Sequence, residues 1–278
     1  MINLNEITFV ITTFQSEKII FNCLQELPKQ SPKIIIENSG NKKLKTELEK
    51  QFDNLKCFVM KENLGYGSAN NIGISESKTN YIFIINPDTL IKKSDLNLFL
   101  GKIIFQDFSI ASMLEQNDQN SYNFDIKGVK EVNFVKGFAM LLNKQKMFGN
   151  TFDENIFLYL EEVDLCLNIK KSGGRIILAN VRINHLGGNS HGNFEDVEMQ
   201  KSRNWHWMWS KFYFSKKHNG YIAALVKTLP NFLSSLFKFI FYFIIFNKKK
   251  IKYEMRLLGL INSYLLRKSY YRPYSKKV

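Results

Sequence analysis

Four short apolar runs punctuate the start of the chain, at residues 6–14, 33–36, 56–60 and 81–85, with segments of helical periodicity between them. No other feature constrains the fold as much. Strands alternating with helices build βαβ units, which require a parallel sheet with right-handed crossovers. One helix is expected over 18–27, where Ile19, Ile20, Cys23, Leu24 and Leu27 share a face. A charged helix is expected over 42–52, and a small-residue helix follows the loop ENLGYGS. In such a sheet every loop that follows a strand opens on the same edge, which is where open α/β sheets bind ligands. That edge gathers Thr12 and Thr13, Glu37 and Asn38, Asn63 and Gly65, and Asp88.

The run YIFII at 81–85 reads as a strand buried on both faces. It must end at Asn86-Pro87-Asp88-Thr89, because Pro87 has no N–H for the ladder. Two readings of this stretch stand side by side. Asp88 is a hard oxygen donor suited to a divalent cation carrying a phosphate. The same four residues also make an ordinary turn before a helix beginning at Ser94 or Asp95.

Further along, 114–131 is polar and reads as a surface loop of the kind that varies with substrate. Residues 132–142 read as a strand with Gly137 inside it, marking a close backbone approach to a ligand or a bulge. A helix is expected from Glu161, with acids in its first turn, Lys170 and Lys171 in its last, and Gly173-Gly174 stopping it. Acids at a helix N-terminus are favourable without any function. A strand at 175–184 leads to His185 and the glycine-rich HLGGNS, readable as a site or as a surface turn.

Cys23, Cys57 and Cys166 lie far apart in apolar stretches and read as reduced core residues. The chain starts MINLNEITFV and enters a strand at once, so no signal peptide is expected. The net charge of +14 is concentrated at one end: residues 201–278 hold 17 Lys and Arg against the single acid Glu254. These cations are interleaved with apolar residues, which favours an anionic lipid surface over nucleic acid, and no nucleic-acid reader motif is present. The segment 204–214 holds all three tryptophans; it suits sugar stacking or a membrane interface, and equally a helix packed on the preceding domain. Over 221–246 Lys227, Pro230 and Lys238 interrupt the apolar run, and over 251–266 Met255, Leu258, Ile261 and Leu265 share a face. Two cationic amphipathic helices lying in a membrane surface are expected, with a spanning helix or a protein interface as alternatives. The first strand is followed by TTFQSEK without G-x-G-x-x-G, which excludes the usual dinucleotide fingerprint.

Five motifs stand in order: ENSG at 37–40, NLGYGSANNIG at 63–73, NPDT at 86–89, EEVD at 161–164 and HLGGNS at 185–190. Together they resemble the family-2 glycosyltransferases with the nucleotide-sugar-binding type A fold. Within that family the pattern is most similar to rhamnosyltransferase-type members that build bacterial surface polysaccharides. The resemblance covers residues 6–215 and implies a Rossmann-like, mostly parallel central sheet flanked by helices. It places Thr12, Glu37 and Asn38 at the nucleobase and ribose, with Glu37 where the family usually has Asp. It places Asn63, Gly65 and Asn71 in the donor-binding loop, with Asn70 where many members carry Arg, and Gly137 joins this donor-binding set. Asn86-Pro87-Asp88 matches the Asp-x-Asp metal motif with Asn for its first acid, so Asp88 and His185 are the implied ligands of Mg²⁺ or Mn²⁺. Glu162 stands at the catalytic base, usually Asp.

The implied protein is an inverting, metal-dependent glycosyltransferase using a nucleotide-diphosphate sugar, with rhamnose as the donor sugar suggested. Its acceptor is a hydroxyl of a glycan or polyprenyl-linked molecule. Residues 1–215 form the expected catalytic domain and 216–278 a membrane-associating region, peripheral on the cytoplasmic face of the cell membrane. A non-catalytic, membrane-bound nucleotide-sugar-binding protein is the other reading.

Overall fold

The structure, a computed structural model, describes residues 2–185 and 196–273. Of the expected HLGGNS loop only His185 falls inside; 186–190 lie outside the described residues. The chain divides into two compact units, Met1–Phe152 with Glu162–Phe194, and Asp153–Glu161 with Glu195–Val278.

The first unit is a sheet with helices on both faces. β1 (Ile7–Thr13), β2 (Lys33–Glu37), β3 (Leu55–Val59) and β4 (Tyr81–Ile85) are linked by α1 (Ile20–Glu26), α2 (Lys42–Gln51) and α3 (Tyr66–Glu76). They pair in parallel in the order β3-β2-β1-β4. Alternate residues of these strands feed two separate cores, as the two-residue period of a strand requires. Phe9, Ile11, Ile35, Phe83 and Ile85 meet Leu24 and Leu44 on one side. Val10, Ile34, Ile36, Ile82 and Ile84 meet Ala69 and Ile74 of α3 on the other. The small residues of α3 have a steric reason. A Cβ on Gly73 would stand 2.3 Å from a methyl of Val10.

The remaining elements are β5 (Thr89–Leu90), α4 (Lys93–Ile103), β6 (Ile110–Glu115), β7 (Val129–Glu131), β8 (Ala139–Asn143), α5 (Glu161–Lys171) and β9 (Ile176–His185). They extend the sheet as β4-β8-β6-β9-β5, with β7 on β9. Here the sheet is mixed: β8 runs antiparallel to both β4 and β6, while β6 and β9 are parallel. The mostly parallel expectation therefore describes the β3-β2-β1-β4 half. A parallel neighbour needs a crossover connection, usually a helix, and the link from β6 to β8 contains only β7. Two boundaries differ from the sequence reading. The strand expected over 132–142 begins only at Ala139, and the expected loop over 114–131 contains the end of β6 and all of β7. α5 does stop at the glycines, Gly173 adopting φ +85°. The three cysteines are free and buried as expected.

The second unit is helical. α6 (Val197–Asn219), α7 (Tyr221–Ile244) and α8 (Lys250–Tyr264) follow one another, with Gly220 at φ +85° turning the chain between the first two. Trp205 and Trp209 of α6 are buried against Met255 of α8. The two helices cross so closely that a Cβ on Gly259 would stand 2.3 Å from the Trp205 carbonyl oxygen. The segment 153–161 belongs to this unit: Phe157 stacks on His206 at 4.4 Å, and Ser210 Oγ donates to the Leu158 carbonyl at 2.8 Å. The compact division thus falls before α6 and not at 215. Of the tryptophans in 204–214, Trp205 and Trp209 are core residues of the helical unit and Trp207 is exposed.

α7 has an inverted section. Its buried residues are small or polar, Ala224, Thr228 and Ser235. Ile222, Val226, Leu229, Leu233, Phe237, Ile240 and Ile244 form an exposed stripe at helical spacing. By length and composition alone, α7 is long and apolar enough to cross a membrane. Of the apolar face expected over 251–266 only Met255 is buried; Leu258 and Ile261 of α8 and Leu265 just after it are exposed.

Candidate active site

The register of the parallel strands brings their carboxyl ends together, Thr13 opposite Glu37 and Ile11 opposite Ile85. Thr12 Oγ1 donates to Asn70 Oδ1 at 3.0 Å. Asn70 Nδ2, on the amide that takes this bond, and Thr13 Oγ1, on the next residue of β1, are buried polar atoms with no hydrogen-bond partner among the described residues. Buried donors are normally satisfied, so this corner is suited to the polar atoms of a ligand. Glu37 is fully buried and its carboxylate accepts from the backbone N–H of Ser39 at 3.0 Å and of Asn41 at 2.7 Å, and from the Ser39 hydroxyl. It shapes the turn after β2. Asn38 ties that turn to the next loop: its Nδ2 donates to the Gly65 carbonyl at 3.2 Å and its Oδ1 accepts from Leu64 N–H at 3.3 Å. Asn63 Oδ1 accepts from Gly65 N–H at 3.0 Å, and Gly65, at φ +87°, opens α3 in a conformation that favours glycine.

Asn71 sits apart from this corner. Its amide makes a two-way pair with the backbone of Phe152, at 2.9 and 3.0 Å, and so anchors the chain where the first unit ends. Gly137 lies outside any strand. Its carbonyl accepts from the Tyr66 hydroxyl at 2.6 Å, and its Cα faces the Tyr66 ring and the Glu162 side chain. A Cβ there would make contacts of 3.6 Å, so close approach of a ligand is not forced by a lack of space.

Asn86-Pro87-Asp88-Thr89 is both a turn, Thr89 N–H donating to Asn86 O at 3.1 Å, and a carrier of chemistry. β5 pairs with the end of β9, Thr89 opposite His185, which delivers the histidine to Asp88. His185 Nε2 lies 3.4 Å from Oδ1 of the buried Asp88. The other ring nitrogen, Nδ1, lies 2.6 Å from Glu115 Oε1, and the ring stacks on Phe138 at 4.7 Å. Burial alone would lower the His185 pKa, but the bonds and charges of Asp88 and Glu115 reverse this and raise it. Burial would raise Glu115, but its bonds to Lys136 and His185 hold it below the ordinary carboxylate range. Glu115 was hidden to sequence reading inside the expected loop; the available signal is the apolar run IASML ending in an acid.

Among the described residues no three His, Cys, Asp or Glu side chains converge as an all-protein metal cage. A carboxylate and an imidazole nitrogen at this spacing fit a cation that takes its remaining ligands from phosphate and water, as Mg²⁺ commonly does. Glu162, half-buried in the first turn of α5, has its carboxyl pushed above the ordinary range by burial, against the opposing pull of backbone N–H groups. A raised carboxyl is suited to accept a proton from a hydroxyl.

The family model for glycosyl transferase family 2 matches residues 8–156. Over 135 residues the chain is 27% identical to a teichoic acid poly(glycerol phosphate) polymerase of Staphylococcus epidermidis, covering 46% of this chain and 19% of that protein. It is 22% identical over 149 residues to the rhamnosyltransferase WbbL of Escherichia coli, covering 40% of this chain and 56% of that one. The chain therefore spans less than two thirds of these relatives. Among solved structures, a mannosyltransferase of Pyrobaculum calidifontis in complex with GDP-Man and Mn²⁺ has a TM-score of 0.57 at 10% identity, covering 93% of this chain and 86% of that one. The S. aureus TarS fragment 1–349 with UDP-GlcNAc has a TM-score of 0.55 at 14% identity, covering 96% and 93%. These likenesses show the type A fold.

Proposed function

The chain belongs to glycosyl transferase family 2, and from that premise we propose that it moves a sugar, with inversion, from a nucleoside-diphosphate donor to a hydroxyl of a glycan or polyprenyl-linked acceptor in cell-surface polysaccharide synthesis. The observation that carries this reading is the pairing of Asp88 with His185 at the carboxyl ends of the strands. The identity of the curated relatives supports it, and rhamnose is the donor sugar that likeness to WbbL favours.

In this reading Thr12, Asn38 and the loop of Asn63 and Gly65 hold the nucleotide. The open valences of Thr13 and Asn70 are met by its polar atoms. Glu37 shapes the base pocket through the turn it braces. Asn71 and Gly137 support the pocket through Phe152 and Tyr66. Asp88 and His185 hold Mg²⁺ or Mn²⁺ with the diphosphate. The bound cation supplies the positive charge that stabilises the leaving diphosphate. Glu162 takes the proton of the acceptor hydroxyl as it attacks. One base acting opposite the leaving group gives inversion.

The tail serves location. The apolar stripe of α7, with Lys227 and Lys238 exposed on the same helix and Lys248–Lys250 following it, suits a helix lying in an anionic membrane surface. The packed opposite face of α7 supports a surface-lying position over a span. An enzyme held there, on the cytoplasmic face, meets a lipid-linked acceptor on a shared plane.

The test is thermal stabilisation by UDP, GDP, dTDP and their sugars, with and without Mn²⁺. A nucleotide at about 100 times its Kd stabilises by about 2.7 kcal/mol. The expected result is a shift that needs metal and disappears in Asp88→Ala. A folded protein that responds to none of these ligands overturns the reading.

A further inference from the structure

We propose that Glu115 is a positioning residue that fixes the imidazole of His185, so that Nε2 is presented to Asp88. The inference rests on the reading of Asp88 and His185 as cation ligands. Glu115 ends β6, opposite Ile183 of β9, after a register shift between Ser112 and Leu114. That irregularity falls just before the residue whose aim matters, as bulges near functional sites often do. One carboxylate oxygen, Oε1, lies 2.6 Å from His185 Nδ1. The other, Oε2, is paired with Lys136, whose Nζ is 3.9 Å from Asp118. The carboxylate is thus held from behind while it holds the ring. Phe138 sets the ring plane, the two rings lying 13° from parallel.

A neutral imidazole carries one N–H and one lone pair. With Nδ1–H donated to Glu115, the lone pair is on Nε2, the nitrogen 3.4 Å from Asp88 Oδ1. A carboxylate behind a ligating histidine fixes the tautomer and raises its basicity, and removing such a partner typically weakens metal binding about 10–100-fold. Glu115 touches neither donor nor acceptor in this scheme; it acts through His185.

The experiment measures Mn²⁺ affinity of the full chain by electron paramagnetic resonance, in the presence of UDP, GDP or dTDP. Glu115→Ala is expected to weaken Mn²⁺ about 10–100-fold. Glu115→Gln keeps an acceptor oxygen and should fall between Glu115→Ala and wild type. Lys136→Met, which removes the pair behind Glu115 but leaves its bond to the ring, should weaken Mn²⁺ less than Glu115→Ala does, and the circular dichroism and melting temperature of each variant control for local folding. On a His185→Ala background, Glu115→Ala should cost nothing more. Unchanged affinity in Glu115→Ala, or an equal loss on that background, overturns the proposal. A second readout needs no metal: in an Asp88→Ala background, where that carboxylate no longer competes for Nε2–H, imidazole ¹⁵N correlation spectra at alkaline pH should show His185 protonated at Nδ1, and a mixture of tautomers once Glu115→Ala is added. If the wild type takes up no Mn²⁺, the cation reading falls, and the tautomer spectra still decide the role of Glu115.

Discussion

Glu162 carries two opposed demands. Burial pushes its carboxyl above the ordinary range, so the ionised form needed by a base is the form the folded protein disfavours. A group whose folded pKa is raised contributes stability at low pH and loses it as pH rises through the folded value. Glu162→Gln removes that penalty. The variant should melt higher than wild type at pH 8, with the gap closing toward acid. Its transfer rate should fall about 10²–10⁴-fold, the usual contribution of a positioned base. Nucleotide binding should persist. The acid limb of the wild-type pH–rate profile should lie above the ordinary Glu value of 4.5. A Glu162→Gln protein that transfers sugar at the wild-type rate would move the base to another side chain. One that binds donor, where wild type also fails to transfer, would favour the non-catalytic binder.

Two glycines show how differently elements tolerate the same change. Gly259 of α8 faces backbone, and a methyl there meets the Trp205 carbonyl at 2.3 Å. Neither helix can yield without opening the α6–α8 contact. Gly259→Ala should therefore destabilise the helical unit by about 1–3 kcal/mol, the range for overpacking. Tryptophan fluorescence should report it, since Trp205 and Trp209 form that core. Gly101 of α4 has nothing within 4 Å of its added methyl. Gly101→Ala should stabilise by about 0.5–1 kcal/mol through helix propensity. Equal melting shifts for the two variants would contradict the close crossing. The same logic explains α3, whose run of small residues lets the helix approach Val10 of β1.

At the scale of the whole chain, charge and exposed apolar surface concentrate in the last quarter. The 278-residue chain should sediment with vesicles containing anionic lipid and much less with neutral ones. Added salt should weaken this, since the Debye length falls from about 10 Å at 0.1 M to about 3 Å at 1 M. Replacing Phe237 and Ile240 with Glu should abolish binding at every salt concentration, because both lie in the exposed stripe of α7. Salt-independent retention of that variant on vesicles would place the contact elsewhere. The sequence by itself determined the β1–β4 half of the sheet, the helix at Glu161 and the strand leading to His185. Strands buried on both faces, as β1, β2 and β4 are, must be apolar, and their ends must break, so each leaves a local record; Tyr81–Ile85 needed no adjustment of its bounds. Only the tertiary structure decided the antiparallel return of β8, the two- and three-residue strands β5 and β7, and the partners of the tryptophans. It also decided that Glu115 meets a histidine 70 residues away. Short edge strands lack an apolar run of their own, and a contact between distant residues is selected by packing, which no local window of sequence contains.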